Sequence, residues 1–196
     1  EANSNFNKIA KQSSNLASNT LLVDSLITVR AELWKSSWEE FNALIEVSID
    51  TFSISEQLLA DSNLDMYVNY LYPSPDSSKC LDIFTYNMNL EVVDGDTIAT
   101  FLVDSEASLV NLKTKYKSRI LYYGSAGGFD YAFWINPEKF IICGYEEGSE
   151  NEIEGYYPTV WYFNLSNSIV KKYHANLNRR FNSTFLSKAY PSLTVK

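Results

Sequence analysis

The sequence predicts an α+β protein with a long amino-terminal helix, an antiparallel sheet of about five to seven strands with one embedded helix, and a closing carboxy-terminal helix. The first reason is the distribution of helix-breaking residues, because no proline precedes Pro73 and no glycine precedes Gly95. A glycine inside a helix costs roughly 1 kcal/mol and a proline roughly 3 kcal/mol, so a long segment without either can stay helical. The second reason is that helical and strand-like segments segregate along the chain, which favours an antiparallel sheet.

Apolar residues with helical spacing begin near Leu21 and predict the long helix. They form two adjacent faces, one with Leu22, Leu26, Val29 and Leu33, the other with Trp34, Trp38, Phe41 and Ile45. The pattern alternates at residues 46–50, where either the helix breaks or a tertiary contact overrides the pattern. Ser53 then fits an N-cap with Glu56 at the third helical position, which predicts a second helix.

Prolines and serines in residues 69–78 predict a boundary. We expect residues 1–72 to form a helical segment and residues 73–196 a sheet domain with the closing helix, together one structural unit. Strand patterns follow at 81–86, 90–93, 97–103, 120–123, 129–135, 140–145 and 156–165. Asp94-Gly95 predicts a hairpin between the second and third of these strands.

Two helices are expected among or after these strands. Residues 105–116 predict the embedded helix. An apolar stripe after Ser166 predicts the closing helix, with Ile169, Val170, Tyr173, Leu177, Phe181 and Phe185.

Composition excludes some partners. The chain has 196 residues, 45% of them hydrophobic, and a formal net charge of −8. Nucleic acid is not expected as a partner, because phosphate binding needs clustered Lys and Arg. No run of 18 apolar residues occurs, so a membrane would be reached only through segments outside this chain. The chain begins with Glu1, which fits either a removed leader or membrane helix, or a residual tag.

Two cysteines, Cys80 and Cys143, lie in predicted strands. They are either two buried thiols or a disulfide between neighbouring strands, and a disulfide would indicate an extracytoplasmic location. We predict the disulfide, because no metal-ligating or catalytic residues accompany the cysteines.

No enzyme activity and no cofactor or metal is expected from the motifs. His174 is the only histidine and is predicted on a surface helix, so neither a zinc site nor a histidine-based triad can be assembled around it. Paired carboxylates can catalyse without histidine, and Asp94, Asp96 and Asp130 are the candidates for such a pair.

The most unusual local stretch is Tyr122–Tyr131, with three glycines between tyrosines. It matches no phosphate-binding or nucleophile motif. It is either a hairpin connection or a ligand-gripping loop in which Tyr rings supply apolar area and Asp130 takes a cationic group. In the strand predicted at residues 156–165, aromatic side chains lie on both faces. Either one of these faces lines a cavity, or the strand is buried on both faces. The predicted ligand-binding residues are Tyr122, Tyr123, Asp130, Tyr131 and Trp161.

The Gly- and Pro-free stretch before Tyr72 and the strands from Leu81 to Leu165 resemble the extracytoplasmic PAS-like sensors of the Cache type. The resemblance implies a non-catalytic, ligand-sensing domain of a membrane-bound signalling receptor, periplasmic or at the cell surface. It further implies a small-molecule ligand, a pocket near Asp104, Tyr122, Asp130 and Tyr131, and a homodimer formed through the amino-terminal helix. The arginine-tryptophan-tyrosine signature of amino-acid-binding relatives is absent, so the ligand class does not carry over.

Two other classes share parts of this pattern. A pilin-like or other secreted interaction protein also places a long helix before an antiparallel sheet. An acidic cytosolic binding protein of the immunity type fits the acidic surface and free cysteines. Both alternatives predict a flat or convex apolar patch without a pocket.

Overall fold

A computed structural model describes residues 20–55, 57–58, 64–178 and 184–195. It shows a mainly β protein with three sheets, so the predicted α+β fold is wrong. Helix α1 covers residues 20–30 and is followed by the single turn α2 (Glu32–Lys35). A 3₁₀ helix (Leu64–Tyr70) and a short helix α3 (Thr184–Ala189) are the other helical segments in these ranges.

The first sheet has five antiparallel strands, in the spatial order β1-β12-β11-β10-β9. Their bounds are β1 (Ile45–Thr51), β9 (Gly127–Asn136), β10 (Lys139–Glu150), β11 (Ile153–Asn164) and β12 (Ile169–His174). Strands β10 and β11 form a long hairpin closed by Asn151 and Glu152, whose φ angles of 51° and 65° suit a two-residue hairpin turn. Strand β1, the first in the described ranges, thus pairs with β12, which lies more than 100 residues later in the chain.

The second and third sheets are smaller. The second sheet has the order β2-β8-β7-β4-β3, and the third has β13-β6-β5 with β13 parallel to β6. Their bounds are β2 (Gln57–Leu58), β3 (Tyr72–Pro73), β4 (Lys79–Asp82), β5 (Met88–Val93), β6 (Asp96–Phe101), β7 (Ser105–Asn111), β8 (Tyr116–Tyr123) and β13 (Leu193–Val195). The predicted Asp94-Gly95 hairpin is confirmed between β5 and β6, with φ angles of 55° and 94°.

Both faces of the first sheet are buried along the central parts of β9, β10 and β11. One face packs against the second and third sheets through side chains such as Ile142 and Trp161. The other face packs under α1 and α2, where Ile141 and Val160 contact a group that includes Ile27 and Trp34. Because neighbouring residues of a strand point to opposite faces, this helix-sheet-sheet layering explains the continuous apolar runs in β10 and β11.

The long amino-terminal helix is not formed. Ser36 and Ser37 bond back through their hydroxyls to the carbonyls of Leu33 and Trp34, at 2.9 and 2.6 Å, where the helix ends. Residues 46–50, whose pattern alternates, lie in β1. The predicted boundary between residues 72 and 73 falls within β3. The predicted helix start at Ser53 leads toward residues outside the described ranges.

The helix residues buried in the fold are Val23, Ile27, Ala31 and Trp34. On the first of the two apolar faces found in the sequence, Leu22, Val29 and Leu33 are 54%, 76% and 42% exposed. A helix with apolar residues on two adjacent faces leaves the choice of the buried face to tertiary packing.

The predictions of an embedded helix and a closing helix are also wrong, because residues 105–111 form strand β7 and residues 169–174 form strand β12. Asn164 and Ser168 make the turn that precedes β12: the Asn164 side chain accepts from the Ser166 amide at 3.2 Å, and Ser168 has a φ of 54°. Helical and alternating patterns overlap in these short segments, and pairing with partner strands decides between them.

The predicted disulfide is wrong, because Cys80 and Cys143 are both free and buried. Cys80 lies on β4 of the second sheet, whereas Cys143 lies on β10 and belongs to the cluster under the helices. The two strands are not neighbours, and a disulfide needs Cα atoms within about 7 Å. The compartment argument built on this disulfide therefore has no support.

No helix in the described ranges is long and apolar enough to cross a membrane.

Candidate ligand-binding site

Asp130 is the unpaired residue of a β-bulge in β9. In the register with β10, Tyr131 lies opposite Cys143 and Phe129 lies opposite Gly144, so Asp130 has no partner across the strands. A bulge turns its extra side chain away from the regular alternation of the strand. This bulge therefore determines where the Asp130 carboxyl points.

The bulge depends on two glycines, Gly128 and Gly144, that allow close contacts with the neighbouring strand. A Cβ on Gly144 would lie 2.0 Å from the carbonyl oxygen of Gly128, so only glycine fits there. A Cβ on Gly128 would meet the Tyr145 ring at 2.8 to 2.9 Å. The glycine-rich stretch thus allows close approach of the neighbouring strand and the Tyr145 ring.

A cavity of about 230 Å³ lies beside the bulge, where parts of all three sheets meet α3. We call it the Asp130 cavity. Its lining residues are Asn87, Phe101, Leu102, Val103, Ser105, Phe129, Asp130, Tyr145, Leu186 and Val195. Most of these side chains are apolar, and a few polar groups converge among them, which is the usual composition of a small-molecule site.

Asp130 is 5% exposed and accepts a hydrogen bond from the Trp34 indole, with 2.9 Å between Nε1 and Oδ2. Burial raises the pKa of Asp130 to about 7, and the Trp34 bond opposes this only in part. Among the described residues no Lys, Arg or His forms an ion pair with Asp130. The site therefore holds a carboxyl that changes charge near neutral pH without a cation beside it.

Trp34 is itself held rigidly. It is fully buried, and its ring makes edge contacts with Trp38 and Phe41 at centroid distances of 6.1 and 5.6 Å. The Asp130 carboxyl is thus connected by one hydrogen bond to the helix layer on the outer face of the first sheet.

Asn87 contributes a second polar group, a side-chain amide that lacks one hydrogen-bond partner. Its Nδ2 donates to Ser105 Oγ at 3.1 Å, and its Oδ1 is buried without a hydrogen-bond partner. The backbone carbonyl of Asn87 accepts from the Leu102 amide at 2.7 Å, which holds this corner of the cavity. Buried polar atoms are rarely left unpaired, so a ligand donor at this corner would complete the set.

A second polar cluster lies between the sheets and centres on Glu146. His174 Nε2 lies 2.6 Å from Glu146 Oε2, Lys172 Nζ lies 3.1 Å from it, and Tyr123 donates to Oε1. Burial alone would raise the pKa of Glu146, but these hydrogen bonds outweigh it and lower the pKa to about 2. His174 stacks on Tyr157 with centroids 4.9 Å apart, so it lies on β12 in a charged network and not on a surface helix.

The five residues predicted to bind ligand do not converge on one site. Only Asp130 lines the Asp130 cavity. Tyr122 is exposed and donates to Asp104 at 2.6 Å, and Tyr123 contacts Glu146. Tyr131 packs against Phe185 on the helix side, and Trp161 is buried in the core beside Phe129.

Sequence reasoning missed Asn87, Ser105 and Tyr145. Asn87 lies in the turn before β5, Ser105 begins a strand predicted as a helix, and Tyr145 lies among several other tyrosines. No local pattern marked them, because the bulge and the meeting of three sheets bring them together.

Within the described part of the chain, no group of three or more His, Cys, Asp or Glu side chains could hold a metal ion. No protein-family model matches this chain, and no curated protein or solved structure shows significant similarity to it.

Proposed function

We propose that this protein binds a small molecule with an apolar body and a polar group in the Asp130 cavity. The observation that carries the proposal is a buried carboxyl without an ion-pair partner, on a β-bulge residue that lines a mainly apolar cavity. Buried charges in proteins are normally paired with an opposite charge, and carboxyls whose pKa is strongly perturbed by burial cluster at functional sites.

The size of the cavity limits the ligand. An engineered apolar cavity of roughly 150 Å³ binds benzene. The Asp130 cavity, at about 230 Å³, has room for one ring and a short polar arm. Val103 and Leu102 are 69% and 53% exposed, so the cavity has an apolar rim at its edge.

Ligand sensing is the role that we propose for such binding. A ligand that contacts the Asp130 carboxyl would act on its bond to Trp34, and thereby on α2. The exposed stripe of Leu22, Val29 and Leu33 could then pair two copies of the chain, as sensor domains do in a receptor. We also propose that the protein is part of a membrane-anchored receptor, that it lies outside the cytoplasm, and that it has no catalytic activity. Light scattering during size-exclusion chromatography, with Val29→Glu as the variant, tests the homodimer.

The binding proposal is tested with benzyl alcohol, which has one ring and one hydroxyl. The readout is the indole N–H resonance of Trp34 in the ¹⁵N-labelled protein, because this group bonds Asp130 directly. We expect a saturable shift of this resonance with a dissociation constant in the millimolar range, as expected for about eight non-hydrogen atoms.

A pair of rim variants provides the control. Val103→Trp blocks the cavity rim and should abolish binding, whereas Val92→Trp, at an equally exposed valine on β5 outside the cavity, should not. Equal binding by both variants, or no shift in the wild-type protein, would contradict the proposal.

A further inference from the structure

Two residues that line the Asp130 cavity offer acceptor atoms to a ligand. Asp130 offers carboxylate oxygens, Asn87 offers an unpartnered Oδ1, and Ser105 Oγ already accepts from Asn87. A set of acceptors is complementary to a ligand group with several donors. An ammonium group has three donors and no acceptor.

We propose that the ligand of the Asp130 cavity is a small apolar amine, whose ammonium group pairs with the Asp130 carboxylate and donates to Asn87. This inference rests on the proposed function, because it names the chemical class that the same cavity takes. The apolar lining holds the hydrocarbon part and the corner of Asp130 and Asn87 holds the cation.

The groups packed around Asp130 leave its charge uncompensated. Trp34 on α2 faces it with a neutral indole, and Cys143 and Tyr145 on β10 are the titratable neighbours. Burial raises the pKa of both neighbours, that of Tyr145 to about 12, so neither is charged near neutral pH. The lining residues of α3 and β13, Leu186 and Val195, are apolar. A ligand ammonium would thus be the only cation among the groups that line this cavity.

Binding of an ammonium group then displaces a proton. Without ligand and below neutral pH, Asp130 keeps its proton because burial disfavours the carboxylate. With the cation beside it, the carboxylate is favoured and the proton leaves to solvent. Affinity for an amine therefore rises with pH until Asp130 is ionised, by on the order of 100-fold between about pH 5 and about pH 8.

The experiment compares benzylamine, which stays protonated over this range, with benzyl alcohol. Dissociation constants are measured at about pH 5 and about pH 8 from the Trp34 indole resonance and by calorimetry in two buffers of different ionisation enthalpy. We expect benzylamine to bind about 100-fold tighter at the higher pH with release of one proton per ligand at the lower pH. Benzyl alcohol should show no such gain.

Asp130→Asn is the matched variant, because the amide keeps the shape of the side chain and can accept from Trp34. It should lose the pH dependence of benzylamine binding, because the amide has no proton to release, whereas Val92→Trp, outside the cavity, should keep this dependence. If benzyl alcohol binds but the affinity for benzylamine does not rise with pH, the cavity binds ligands but the proposal that its ligand is an amine is wrong. If neither probe shifts the Trp34 resonance, the binding function fails as well.

Discussion

Replacing Asp130 by Asn should remove a large part of the pH dependence of stability near neutrality. The pKa of Asp130 is raised in the folded state to about 7 from an ordinary value of 3.8. The folded protein therefore holds this proton more tightly than the unfolded chain. The stability that results is complete below the unfolded value and is lost as pH rises through about 7.

The magnitude follows from the size of the shift. A shift of about three pKa units corresponds to about 4 kcal/mol in the free energy of unfolding, and the 5% exposure of Asp130 leaves little screening by solvent. Roughly 2–3 kcal/mol of this is lost between about pH 5 and about pH 8. The side-chain amide of the variant has no proton to lose, so Asp130→Asn should gain this amount over the wild-type protein across the same range.

Urea unfolding of both proteins at the two pH values measures the effect. The relevant quantity is the difference in free energy of unfolding between the two proteins, because all ionisable groups other than Asp130 are common to both. In parallel, the Trp34 indole resonance should titrate with a midpoint near the Asp130 pKa of about 7. A free-energy difference that does not change with pH would refute the reasoning, as would a Trp34 resonance that stays constant.

Three further outcomes are expected. Gly144→Ala should destabilise the protein by about 3 kcal/mol or more, because its Cβ would lie 2.0 Å from a backbone oxygen, whereas Gly124→Ala, with only one side-chain atom at 3.8 Å, should stay within about 1 kcal/mol in urea unfolding. Thiol titration of the unreduced, denatured protein should give two free thiols, since Cys80 and Cys143 are not bonded, and a mass corresponding to a disulfide would contradict the fold. Glu146→Gln should cost about 2–3 kcal/mol at neutral pH, and this cost should shrink as pH falls toward the lowered pKa of about 2, because the stability from this carboxylate is present above its unfolded pKa and is lost on protonation.

Local sequence patterns predicted the strands whose partners are close in the chain. The hairpin of β5 and β6 follows from Asp94-Gly95, whose positive φ angles suit a two-residue turn. The central parts of β10 and β11 match the strands predicted at 140–145 and 156–165 from runs of apolar and aromatic residues, which are buried on both faces. Such elements need little information from the rest of the protein.

The closing helix was predicted wrongly because the segment that forms β12 depends on a distant partner, β1. Strand β12 has the apolar spacing of a helix, but its backbone pairs with β1 on one side and with β11 on the other. These pairings fix its extended backbone from outside the segment. The same holds for the site: Asp130 was found through its glycine-rich surroundings, but a bulge is a property of two strands in register and is not visible in one of them.

The pairing of β1 with β12 also has a consequence for synthesis on the ribosome. Residues 45–51 remain without their partner strand until residues 169–174 have emerged, and the helices before them lack the strands that cover them until residues 127–164 have emerged. At roughly 5–20 residues per second this delay is on the order of ten seconds. During that time Ile27 and Trp34 have no sheet to cover them, and such long-range pairing is slow to form even in the complete chain. The amino-terminal third is therefore the part of the nascent protein that most needs a chaperone, and truncation after β11 should leave it aggregation-prone.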